Sequence, residues 1–88
     1  MIKEYYTRDT DILIQIFLDN TAISLNYWNL ADVATCNVSG GIWETEAKKL
    51  LLWANSIWGL ADDHYKTIPE DTDLLPENFV NSLPNYSG

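Results

Sequence analysis

Asp62-Asp63-His64 is the first place in this 88-residue chain where side chains suited to proton transfer stand together. Two carboxylates and an imidazole are components of general acid/base catalysis. Adjacent residues on a helix point in different directions, however, and no Ser or Cys has a defined spacing to His64. The grouping reads as a solvated flank. Asp9-x-Asp11 and Asp71-x-Asp73 have the spacing that opens a calcium loop, but the turn glycine and the distal bidentate Glu are missing after both. Gly40-Gly41 lacks the further glycine and the Lys-Ser/Thr pair of a phosphate loop. Cys36 is the sole cysteine, so it can build neither an internal disulfide nor a zinc site, and no cation stands near it in sequence to activate it. The expectation is a non-enzymatic protein without metal or cofactor.

Thirteen acids against five bases leave a formal charge of -8, and Lys3, Arg8, Lys48, Lys49 and Lys66 are scattered. Phosphate contacts need clustered cations, so direct nucleic-acid binding is not expected. The acidity either keeps a small domain soluble or is aimed at a basic partner. Hydrophobic content of 47% is too high for a disordered chain despite that charge. One small domain follows. The longest mostly apolar run, Ile12 to Leu18, is too short to cross a bilayer, and the N-terminal residues lack a secretory signal. With one thiol, this predicts a soluble cytoplasmic or virion-associated protein that does not engage membranes.

Four stretches organise the chain: a polar and aromatic segment (1–10), a β-rich part (11–43), a long helix (44–68), and an acidic, proline-punctuated tail with a short helix (69–88). Ile12, Ile14, Ile16 and Leu18 alternate with Asp11, Leu13, Gln15 and Phe17, which favours a strand. Asp19-Asn20-Thr21 supplies turn chemistry, and Ile23, Leu25 and Tyr27 alternate again, completing a β-hairpin. A helix from Thr10 as N-cap to Asn20 competes, since Ile12, Leu13, Ile16 and Phe17 also share a helical face. Residues 29–34 suit a helical turn, or Val33 to Val38 a third strand, ended by Ser39-Gly40-Gly41.

From Thr45, a plausible N-cap, Ala47, Leu50, Leu51, Ala54, Ile57, Trp58, Ala61 and Tyr65 recur at three- and four-residue steps. Glu44 and Glu46 at the start and Lys66 at the end complement the helix dipole. Gly59 costs about 1 kcal/mol against Ala inside a helix, implying either close approach of a neighbouring backbone or a weak spot. Pro69 stops the long helix, and Pro76, Glu77, Phe79, Val80 and Leu83 suit a short one. The expected fold class is α+β, an N-terminal β-hairpin or small antiparallel sheet packed on one long amphipathic helix, with a short C-terminal helix.

Trp53 and Trp58 lie about 140° apart around the helix axis, at the edges of an apolar arc wider than a surface helix needs. Tyr5, Tyr6, Tyr27, Trp28, Trp43, Trp53, Trp58 and Tyr65 are more aromatic bulk than one thin core hides, so two or three are expected at a partner-facing patch. Trp53, Trp58, Leu52 and Tyr65 are the candidate contacts, and a second copy of the chain could also cover the arc. Asp62, Asp63, Glu70, Asp71, Asp73 and Glu77 form the densest acidic region, which could occupy the binding channel of a basic nucleic-acid-binding protein.

Glu46, Ala47, Leu50, Leu51, Trp53, Trp58, Pro69, Phe79, Leu83 and Pro84 give an order, A-K-x-L-L-x-W…W, proline, then L-P-x-x-F-x-x-x-L-P. This resembles the C-terminal part of small accessory proteins encoded beside tail genes in tailed bacteriophages. The resemblance covers fewer than half of the residues. It implies binding to a virion, tail or assembly component rather than catalysis. Asp62, Asp63 and Glu70 to Asp73 depart from that pattern, which leaves room for an acidic phage-encoded inhibitor of host defence, of anti-CRISPR or anti-restriction type, acting as a nucleic-acid mimic.

Overall fold

The computed structural model describes residues 1–39 and 44–87. Gly40, Gly41 and Trp43, and the Cys36 side chain, lie outside the described residues. Helices α1 (Lys3–Ser24), α2 (Leu30–Ser39), α3 (Glu44–Lys66) and α4 (Pro76–Asn81) carry the fold. Among the described residues there is no sheet, and the extended pairing is an isolated antiparallel bridge between Ile2 and Asp71. The expected α+β class with its N-terminal β-hairpin is therefore overturned by a mostly helical chain.

The cause lies in α1. Tyr6, Thr10, Ile14, Leu18 and Ala22, four residues apart, are buried as one face, while Ile12 and Ile16 stand half-exposed on another. The isoleucine alternation is thus the overlay of two helical faces, not the two sides of a strand. Thr10 is no N-cap: it sits inside the helix, and its buried hydroxyl donates to the Tyr6 carbonyl oxygen at 2.7 Å. The expected turn at Asp19-Asn20-Thr21 is helical too. Thr21 Oγ1 donates to the Phe17 carbonyl at 3.1 Å, and Asp19 Oδ1 accepts from Gln15 Nε2 at 3.1 Å and from the Leu30 amide at 3.0 Å.

α1 ends about one turn later than the turn signal implied. Asn26 adopts a positive φ of 72°. The Asn26 amide then bonds the Ile23 carbonyl and the Tyr27 amide the Ala22 carbonyl, both at 3.0 Å. That is the paired bonding of a Schellman stop. Tyr27 folds back into a buried cluster with Ala22, Val33, Ala47 and Leu50. α2 starts immediately afterwards: Asn29 Oδ1 accepts from the Asp32 amide at 2.9 Å, and Asp32 Oδ2 accepts from the Trp28 amide at 3.0 Å. These reciprocal caps start a helix at Leu30 that runs to Ser39, so the third strand expected as an alternative from Val33 to Val38 is helical instead.

α3 matches its sequence pattern, with Ala47, Leu50, Ala54, Ile57 and Ala61 buried at alternating three- and four-residue steps. It begins at Glu44, so Thr45 lies inside the first turn and is exposed. α1 and α3 run antiparallel, as Tyr6 meets His64, Phe17 meets Trp53, and Tyr27 meets Glu46. α4 has Pro76 at its start, as predicted. It packs Phe79 and Val80 onto the Ile14, Leu18, Ile57 cluster, which Leu83, just beyond the end of α4, completes. The resulting rod measures 48 × 19 × 19 Å.

Gly59 is exposed, and a Cβ placed there meets nothing within 4 Å. No neighbouring backbone approaches it. Gly59→Ala should therefore stabilise the fold by about 1 kcal/mol, read as a higher urea midpoint with unchanged slope. Asn26→Ala should do the reverse, costing about 1 kcal/mol because a Cβ-bearing residue without a local hydrogen-bonding side chain is strained at positive φ, whereas Asn26→Gly should not destabilise.

Candidate functional site

Helix packing gathers titratable groups at one place, between the first half of α1, the end of α3 and α4. The Tyr6 hydroxyl and His64 Nε2 lie 2.7 Å apart, and the imidazole stacks on Phe79 with centroids 4.1 Å apart and planes 3° from parallel. Tyr65, next along α3, donates its hydroxyl to Asp11 Oδ1 at 2.7 Å. Burial lowers the His64 pKa below its ordinary value of 6.5. Burial, followed by the hydrogen bond to Asp11 and its charge, raises that of the Tyr65 hydroxyl. Burial likewise raises Tyr6.

This constellation holds helices together. Tyr6 is wholly inaccessible, its hydroxyl contact occupies His64 Nε2, and Phe79 covers the ring face. Asp62 and Asp63 point to solvent. A general base must reach a substrate proton, and His64 is already occupied by its own chain. Among the described residues, no group of His, Cys, Asp and Glu is arranged to hold a metal ion.

The sequence-predicted contacts separate into two sets. Trp53 is half-buried: its Nε1 donates to the Pro84 carbonyl at 3.1 Å, and its ring meets Phe17 and Tyr86 edge-on at 5.5 and 5.7 Å. Trp58 packs on the Ile14 and Ile57 cluster, and Tyr65 is held by Asp11. These three are half-buried by contacts within the chain. Leu52 is the exception, 69% exposed on the outer face of α3, beside Lys48, Leu51 and Asn55.

Five of the six carboxylates share one end of the rod. The Lys3 amide donates to the Glu70 carbonyl and the Thr72 amide to the Met1 carbonyl, both at 2.9 Å. Glu70, Asp71 and Asp73 are thereby set beside the first turn of α1, at the same end of the rod as Asp62 and Asp63, while Glu77 lies farther along, beside Leu13 and Phe17. That end also carries Glu4, Asp9 and Asp11, which linear density does not reveal, and Lys3, Arg8 and Lys66, which interrupt its charge. The row is not an unbroken ladder of negative charge.

Two exposed apolar features lie outside the candidate contacts named from the sequence, although Trp28 and Tyr5 belong to its aromatic set. Trp28, in the capped turn between α1 and α2, is 86% exposed. Tyr5, Ile12, Ile16 and Ile23 are each about half exposed on α1, and at 100° per residue they fall within about 40° of one another. The signal was present for the second: reading residues 3–24 as one helix places these four on a line away from Tyr6, Ile14 and Leu18.

No protein family, curated protein or solved structure matches the chain. No described helix is long and apolar enough to cross a membrane.

The depressed His64 pKa has a sign that can be tested. Between 6.5 and the lower folded value, the unfolded chain binds a proton that the folded chain does not, so stability is complete above pH 6.5 and falls as pH drops through that window. Urea midpoints measured at about pH 7.5 and 5.5 should differ for the wild type, and the difference should shrink in His64→Gln.

Proposed function

We propose that this chain is a non-enzymatic protein-binding module whose principal contact is Trp28. A tryptophan left 86% exposed in a turn whose backbone is fixed by the Asn29 and Asp32 caps is a preorganised apolar anchor. Tryptophan is enriched among the residues that dominate binding energy, and a fixed backbone reduces the entropy lost on association. Leu52 supplies a second exposed apolar side chain on α3. The acidic end lies at the opposite end of the rod from Trp28, where it favours solubility and steers a basic partner during encounter.

The resemblance of residues 46–84 to tail-associated accessory proteins of bacteriophages supports a virion or tail-assembly component as that partner, in the host cytoplasm or the virion. The gathered carboxylates favour a second reading, an acidic inhibitor of a nucleic-acid-binding protein. Lys3, Arg8 and Lys66 within the same end weigh against it, because a phosphate mimic gains from uninterrupted negative charge.

Capture of the partner from infected cells, compared between wild type and Trp28→Ala, tests the assignment. The substitution removes almost no buried surface, so helical circular dichroism should be unchanged while affinity falls by about thirtyfold, as expected for a hot-spot tryptophan worth about 2 kcal/mol. Undiminished capture by Trp28→Ala rejects Trp28 as the anchor. Binding that survives 0.5 M salt supports the apolar reading, and collapse at that salt supports the acidic inhibitor.

A further inference from the structure

The row Tyr5, Ile12, Ile16, Ile23 is used neither by the core nor by the Trp28 surface. Its spacing of seven, four and seven residues is the same read from either end. An isologous contact requires that property, because residue i must meet residue j while j meets i. If a second α1 is laid antiparallel with paired positions summing to 28, Tyr5 faces Ile23 and Ile12 faces Ile16, each twice. The two-fold axis then passes at the level of Ile14, within one residue of the midpoint of Lys3–Ser24. The helices therefore overlap along their whole length of about 33 Å, with no member of the row unmatched.

The charges at the edges follow the same symmetry. Arg8 and Asp19 lie on one edge of the row, about 20° apart around the axis, and Asp9 and Asn20 share the other edge. Two-fold pairing sets like edges together. Arg8, whose guanidinium holds Asp9 at 3.3 Å and lies 5.1 Å from the Tyr5 ring centroid, then stands next to Asp19 of the second copy. Asp9 stands next to the second copy's Asn20, a hydrogen-bond donor. The arrangement places the sole arginine of the chain against an opposite charge twice. A basic helix from another protein would match the carboxylates, but it would set Arg8 against like charge and has no reason to meet a row with mirror spacing.

We infer that α1 is a homodimerisation surface, and that two copies pair antiparallel through Tyr5, Ile12, Ile16 and Ile23. The dimer presents one Trp28 at each end. It is thus suited to partners that repeat, a consequence that rests on the Trp28 assignment although the dimer itself does not.

Sedimentation equilibrium of the full chain tests the pairing without any partner. At on the order of 100 µM, where interfaces in the small size class are populated, the mass should approach twice 10.1 kDa. Ile12→Ser/Ile16→Ser should return it to the monomer with its helicity intact, since both side chains are exposed, and Leu52→Ser should leave the dimer unchanged. The register is read separately in a Cys36→Ser background. Tyr5→Cys/Ile23→Cys should oxidise to a covalent dimer, and Tyr5→Cys alone should not, because the antiparallel register separates the two copies of position 5 by about 27 Å along the axis. A chain that stays monomeric, a serine variant that still dimerises, or crosslinking by Tyr5→Cys alone would each overturn the inference.

Discussion

The seam between α1 and α3 is the contact on which the other features of this protein depend. α3 offers Ala47, Ala54 and Ala61 at seven-residue intervals, with Leu50 and Ile57 between them, all essentially inaccessible. Alanine has no bulk beyond Cβ, so Ile14 and Leu18 of α1 reach across to α3 and fill the space against Ala54, Ile57 and Ala61. Each fully buried Leu or Ile contributes about 1.5 to 3 kcal/mol of hydrophobic stabilisation. Once this seam sets the rotation of α1, it also decides which α1 side chains are left outside.

The seam also determines the fate of the aromatic side chains. With α1 and α3 antiparallel, α4 lies against both, and the chain beyond it lies along Trp53, whose indole is closed by Phe17, Tyr86 and the Pro84 carbonyl. Tyr6, His64 and Phe79 tie the opposite end. Tyr6, Tyr27, Trp53, Trp58 and Tyr65 are drawn in because several helices and the tail, rather than one face of a sheet, pack around them. Trp28 escapes because its backbone belongs to the stop of α1 and the cap of α2, and these constrain its amide but not its ring.

Much of α3 and α4 was legible in the sequence because each signal there is local. Ala47 to Ala61 repeats at helical steps over several turns, Glu44, Glu46 and Lys66 agree with the dipole, and Pro76 marks a helix start. α1 is not legible as a helix because Ile12, Ile14, Ile16 and Leu18 satisfy a two-residue period as well as a helical one, and β-branched residues tip that balance toward strand. Asp19 and Asn20 added a false turn signal. The Asp19 carboxylate serves instead to cap α2 through the Leu30 amide, a contact across eleven residues that no local rule anticipates. The candidate site was legible only in part. Its acidic end and Leu52 lie at the surface, while Trp53, Trp58 and Tyr65 are half-buried by contacts within the chain itself, which linear spacing does not reveal.

The sequence by itself determined the charge, the absence of a catalytic or metal-binding pattern among its motifs, the long amphipathic α3 and the proline-started α4. All of these follow from residue type and short-range spacing. Only the tertiary structure decided that residues 3–24 are one helix, which of its faces is covered, and which aromatics remain exposed. The physical reason is that burial is a relation between elements. A side chain's period can nominate two faces, but the choice between them depends on the shape of the neighbour. In this chain that neighbour is the alanine-lined face of α3.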